Sequence, residues 1–137
     1  MYNKLFALGL IIAMVIFASC GGPKERTKMS ELDTPEYHYN QGKKYLEKSD
    51  FKTASNEFML AKSLKTDFAP AYEGLAIVDI ENKKMNEAEK KISKSLSIDG
   101  DWVPANVAKG RWYTAKGEYE DAVDELEDAV EDVADYD

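Results

Sequence analysis

The sequence predicts an all-α protein built from three consecutive helix-turn-helix units, and three observations predict it. Small and bulky residues recur together every 34 positions, turn-forming segments fall at the same point of each copy, and the last segment spaces its apolar residues as a helix does. The 137-residue chain suffices for one modest domain, and 44% apolar with 32% charged residues is the balance of a folding helical protein, not of a disordered one. The formal net charge of -8 conceals a segregation along the chain. From Glu118 to Asp137 there are 11 carboxylates and no Lys or Arg, whereas Cys20 to Gly117 carries 15 acids against 17 bases. Nucleic-acid binding is thereby disfavoured, because it depends on clustered bases neutralising phosphates and the acidic tail would repel a polyanion.

Residues 1–19 read as an export signal. Lys4 gives a short basic start, Leu5 to Ala18 is an unbroken non-polar run of 14 residues, and Ser19 and Cys20 follow. A run of that length falls short of the roughly 20 residues that a membrane-crossing helix needs. The string Phe17-Ala18-Ser19-Cys20 resembles the lipobox of bacterial lipoproteins, with Phe17 where Leu is commoner. That resemblance implies cleavage before Cys20, acylation of its thiol and lasting attachment to a membrane through the N-terminal lipid. Gly21 and Gly22 follow the cysteine, and the Asp that in such proteins favours the inner membrane is missing. In a cell with two membranes the outer one is implied, at its periplasmic face. Cys20 is the single cysteine, which excludes a disulfide within the monomer.

Residues 20–34 are polar, contain Gly and Pro and lack apolar periodicity, and so read as a flexible tether. The domain is expected over residues 35–134, in units 35–68, 69–102 and 103–134. Thr34-Pro35-Glu36 supplies an N-cap hydroxyl, a proline suited to the first helical position and a carboxylate facing the helix dipole. Within the copies Gly42, Ala76 and Gly110 share one column, Tyr45 and Tyr113 another that Asp79 interrupts, and Ala54, Ala88 and Ala122 a third. Phe58, Ile92 and Leu126 follow, then Ala61, Ser95 and Ala129. Such columns let antiparallel helices approach where one offers Gly or Ala and fill the space beside it with larger residues. The turns are Ser49-Asp50-Phe51, Lys83-Lys84-Met85 and Gly117-Glu118-Tyr119. The expected helices are 35–48, 52–65, 69–82, 86–98, 103–116 and 119–134.

With these spacings the chain resembles the tetratricopeptide repeat family across residues 35–134, with Asp79 and Ser95 as local departures and Pro70 and Pro104 matching the proline that opens a following unit. The resemblance implies a short right-handed α-solenoid, at the usual minimum of about three repeats. It also implies a concave groove lined by the first helix of each unit. The positions expected to face it are Tyr39, Asn40 and Lys43, then Glu73 and Ile77, then Val107, Arg111 and Thr114. Two bases, an aromatic and two aliphatics suit an extended peptide or a helix of some acidic character. The Lys and Asn with which some family members clamp a chaperone peptide's terminal carboxylate are replaced by Tyr39 and Lys43, so that clamp is not expected.

The acidic last segment places Val123, Leu126, Ala129, Val130 and Val133 at helical spacing, which reads as a soluble capping helix or as a surface for a basic partner. It has no Asp-rich calcium loop with its Gly. His38 is the only histidine and reads as a surface or interhelical residue; no phosphate-cradling loop, zinc-spaced cluster or nucleophile elbow accompanies it. Trp102, Trp112 and Tyr113 read as core between repeats and not as a sugar platform. The sequence therefore points to a non-enzymatic scaffold or adaptor of the cell envelope. It needs no cofactor, metal or small-molecule substrate, binds no nucleic acid, and takes protein partners. By resemblance it would assist secretin, pilus or outer-membrane protein assembly. The alternative is a structural subunit of an envelope complex that docks through its C-terminal acidic helix at Ala129, Val130 and Val133.

Overall fold

The computed structural model describes residues 33–134, with side chains described as far as Glu131. The export signal, Cys20 and the tether to residue 32 lie outside the described residues, as does the side chain of Val133. Among the described residues there are six helices and no strand: α1 (Pro35–Glu47), α2 (Phe51–Leu64), α3 (Ala69–Glu81), α4 (Met85–Ile98), α5 (Val103–Lys116) and α6 (Tyr119–Ala134). Each end lies within one residue of the span expected from sequence. None of these helices is long and apolar enough to cross a membrane.

The helices start and stop where local chemistry directs. Thr34 caps α1 by accepting the Tyr37 N–H at 3.1 Å, and Asp50 caps α2 by accepting the Thr53 N–H at 3.1 Å. Pro35, Pro70 and Pro104 sit in the first turns of α1, α3 and α5, where a missing N–H costs nothing. The first helix of every unit closes in the same way. Asp50, Lys84 and Glu118 donate their N–H groups back to the carbonyls of Tyr45, Asp79 and Tyr113 at 2.9, 2.8 and 3.0 Å. This closure places the residue before each donor in the left-handed region, at φ 58° for Ser49, 61° for Lys83 and 84° for Gly117. Only Gly117 occupies it without strain.

α1 packs on α2, α3 on α4 and α5 on α6, while α3 follows against α2 and α5 against α4, giving a solenoid of three antiparallel pairs. The first helices α1, α3 and α5 also run beside one another. One core cluster gathers Tyr39, Phe58, Phe68, Leu75 and Val78, and a second gathers Ile77, Ile80, Ile92 and Trp112. Phe58 is fully buried and lies between two helices that both present glycine. A Cβ on Gly74 would stand 2.5 Å from the ring, and one on Gly42 would collide with it as well.

The two departures from the repeat columns are explained by polar contacts. Asp79, where the other units have Tyr, is buried and receives the ammonium of Lys91 from α4. Ser95, where they have Ala, is fully buried and donates its hydroxyl to the Ala69 carbonyl at 2.8 Å. Each satisfies in the core what would otherwise be an orphaned polar group. His38 bridges α1 to α2 and to the chain before α1, bonding Glu57 at 2.7 Å and Asp33 at 2.9 Å. Trp112 is buried with its Nε1 donated to the Met85 carbonyl at 2.8 Å, and Trp102 packs edge-on against Tyr39.

Gly74→Ala is expected to cost about 1–3 kcal/mol in urea unfolding despite Ala's better helix propensity, because the added Cβ collides with the Phe58 ring, which α1 at Gly42 confines on its other side. The loss should shrink in the Gly74→Ala/Phe58→Leu double variant. For the left-handed closures, Gly117→Ala is expected to destabilise by about 1 kcal/mol. Lys83→Gly should be neutral or stabilising by up to about 0.5 kcal/mol, since strain relief and added unfolded-state entropy oppose one another.

Candidate peptide-binding groove

α1, α3 and α5 together line a groove of about 400 Å³. Tyr39, Lys43, Glu73, Ile77, Val107 and Arg111, six of the eight positions expected from sequence, lie on it. Asn40 and Thr114 do not. Asn40 is the neighbour of Tyr39 on the helix and its side chain is exposed to solvent. The Thr114 hydroxyl turns back to the Gly110 carbonyl at 2.9 Å. Leu46, Glu47, Phe58, Val103 and Pro104 complete the lining. Four of these were legible in the helical period: Leu46 and Glu47 lie one turn beyond Lys43, and Val103 and Pro104 one turn before Val107. Phe58 comes from α2 and reaches the groove only because Gly42 and Gly74 leave it room.

The groove has a buried floor and a wetter rim. Tyr39 and Glu73, expected as partner contacts, are 9% and 8% exposed, and the Tyr39 hydroxyl donates to Glu73 Oε2 at 2.9 Å. Both are spent first on each other, so they form the floor. Ile77 and Phe58 are buried beside them, and Val107 is open to solvent. At the rim Lys43 Nζ lies 5.5 Å from the centre of the Tyr39 ring, a cation-π placement. Arg111 donates to Glu81 at 2.8 Å, so an incoming anion would have to share it. Among the described residues Lys43 forms no ion pair, which leaves it the base most available to a ligand.

Glu73 is the electrostatically unsettled group. Burial pushes its carboxyl up to about 7 from 4.5, while the Tyr39 hydroxyl and the charges of Lys43 and Arg111 pull the other way without prevailing. Burial also raises Tyr39, assisted by the charge of Glu73. For His38, burial opposes the charged form, but the carboxylates of Glu57 and Asp33 outweigh it and hold the ring above its ordinary 6.5. Among the described residues no group of three or more His, Cys, Asp or Glu could hold a metal ion.

No protein-family model matches the chain, and no curated protein matches it. Solved structures do match. The TPR2B domain of yeast Sti1 in its pHsp70 complex superposes with a TM-score of 0.63 at 25% identity, covering 74% of this chain and 81% of that one. The second TPR of Spaghetti (RPAP3), bound to the HSP90 peptide SRMEEVD, gives 0.59 at 18% identity over 70% and 89%. MamA gives 0.59 at 24% identity, covering 77% of this chain and 62% of MamA.

The Glu73 environment sets a pH dependence of known sign. Its folded pKa lies above its unfolded value, so the folded state holds the extra proton, and stability falls as pH rises from 4.5 to about 7. His38, also raised, loses its contribution as pH rises through its own folded pKa, in the same direction. Glu73→Gln keeps an acceptor for Tyr39 and removes only the first effect. Urea unfolding is expected to show the variant close to wild type near pH 5. At pH 8 it should be more stable, on the order of 2–3 kcal/mol. Equal stabilities at pH 8 would remove the buried charge from the account.

Proposed function

We propose that this chain, whose fold is that of the tetratricopeptide repeat, is a protein-interaction scaffold that holds a segment of another protein across α1, α3 and α5. The observation that carries this reading is the groove itself. One continuous concavity draws on the first helix of all three units, with apolar walls from Leu46, Ile77, Val103 and Val107 and a base at its rim in Lys43. Apolar walls with few polar anchors suit an extended peptide or helix that brings aliphatic side chains and an acidic group. Two of the matching structures are complexes, with an HSP90 peptide and with pHsp70. That supports peptide capture by this architecture, with a different anchor here, because the terminal-carboxylate clamp positions are Tyr39 and Lys43.

The Leu5–Cys20 string supports placement in the cell envelope as a lipoprotein, at the periplasmic face of the outer membrane where there are two membranes. Service to secretin, pilus or outer-membrane protein assembly is the corresponding role. Scaffolding of this kind needs no chemistry from the chain itself.

Crosslinking in intact cells, followed by recovery of the chain from the membrane fraction, tests this. Lys43→Glu plus Val107→Asp alters two solvent-accessible groove positions, and because Lys43 partly offsets the buried Glu73 charge, thermal melting is used to verify that the variant is folded. One envelope protein is expected with wild type, falling at least about tenfold with the double variant. Cys20→Ser should move the chain out of the membrane fraction. Undiminished recovery of the same partner by the double variant would exclude the groove as its binding site.

A further inference from the structure

Within the solenoid, the second helix of each unit is covered by the first helix of the next. On α4 the positions at that joint are Glu89, Ile92, Ser93 and Leu96, and the side chains facing them are Lys109, Trp112 and Tyr113 of α5. The same positions on α6, one repeat later, are Val123, Leu126, Glu127 and Val130. With Glu131 they line an open depression of about 430 Å³ to which no other described element contributes. Val123 and Val130 are 52% and 68% exposed. Leu96, half-buried at the covered joint, corresponds to the exposed Val130, and the exposed Glu89 at the edge of that joint corresponds to an equally exposed valine, Val123, the reverse of what solvation of a free end requires. Ala129 is buried against its own unit, so the docking end expected from sequence shifts to this neighbouring face of α6.

The opposite end of the stack is finished differently. The column that buries Val78 and Trp112 against a preceding unit holds Lys44 in α1, and Lys44 is exposed. One end is closed by charge and the other left apolar.

We propose that this face of α6 docks an amphipathic helix of a partner protein, laid as α5 lies on α4. That helix would set a bulky apolar or aromatic side chain over Leu126 and Val130 and direct Lys or Arg toward Glu127 and Glu131. The charge of α6 selects this occupant. Its sequence has no Lys or Arg, and Glu120, Asp124, Glu127 and Glu131 run along one side of the apolar stripe, while the other side is the buried Ala122 and Ala129. A second copy presenting α6 would set acid against acid, and one presenting α1 would put the Lys44 ammonium where Trp112 packs. An anionic membrane surface would repel the same carboxylates.

The test uses the full chain in non-ionic detergent and a peptide of residues 103–117, held helical by a staple on its far face and labelled for fluorescence anisotropy. This peptide carries Lys109, Arg111, Trp112 and Lys116, the chemistry the face is built to meet. Saturable binding is expected, weakened at least about tenfold by Val123→Lys plus Val130→Lys and also by Glu127→Lys plus Glu131→Lys. Every substituted position is exposed, and thermal melting should confirm that both variants remain folded. Absence of binding to wild type, or equal binding by the variants, overturns the proposal. So does sedimentation showing that wild type self-associates while Val123→Lys plus Val130→Lys is monomeric, which would make the face an interface between copies. Binding that survives Lys43→Glu plus Val107→Asp keeps this outcome separate from that of the groove.

Discussion

The seating of the Phe58 ring between Gly42 and Gly74 is the contact on which the other geometry rests. Phe58 belongs to α2, but the two glycines belong to the first helices of successive units, so one ring sets the spacing of α1 and α3. At that spacing Tyr39 reaches Glu73 across the unit boundary, and Phe68 and Trp102 pack edge-on around the same tyrosine. A Cβ at either glycine would push the helices apart and open the floor of the groove. Close packing therefore determines the binding surface as well as the core, since interiors at crystal-like density transmit small volume changes as displacements.

The groove carries a tension between burial and charge. Its walls are apolar, yet its floor holds a carboxyl whose ionised form is penalised by the burial that makes the floor. Tyr39 donates to that carboxyl, and Lys43 and Arg111 offset part of the cost from the rim. On the proposed reading, a partner covering this floor would deepen the burial of Glu73 further, so occupancy and protonation of Glu73 are linked. Arg111 held by Glu81 and Lys43 resting over Tyr39 leave the two rim bases unequal.

The repeat architecture uses one backbone device three times and varies its ends. Each first helix terminates through the same pair of backward hydrogen bonds and the same left-handed residue, although only the last copy supplies the glycine that this conformation prefers. Tertiary packing of the paired helices holds Ser49 and Lys83 in place against their local preference. The two outer faces differ in kind: Lys44 is exposed where later units bury Val78 and Trp112, while α6 exposes Val123 and Val130 where α4 has the exposed Glu89 and the half-buried Leu96.

Periodicity in the sequence determined the helix spans, the pairing of helices and the columns of small residues, because a 34-residue recurrence and a 3.6-residue helical period are both visible without coordinates. The resemblance to the repeat family that rests on this recurrence implied that Lys43, Ile77, Val107 and Arg111 share the groove face. The tertiary structure alone decided the rest. Tyr39 and Glu73 became floor instead of rim, because their side chains meet across a unit boundary and bury one another. Asp79 and Ser95, irregular in the columns, found Lys91 and the Ala69 carbonyl on adjacent helices. His38 found Glu57 nineteen residues away. Val123 and Val130, indistinguishable from core residues by spacing, stayed exposed because α6 has no following helix among the described residues. Spacing tells which side of a helix a residue occupies; whether that side is covered, and by which polar partner, depends on the neighbouring helices.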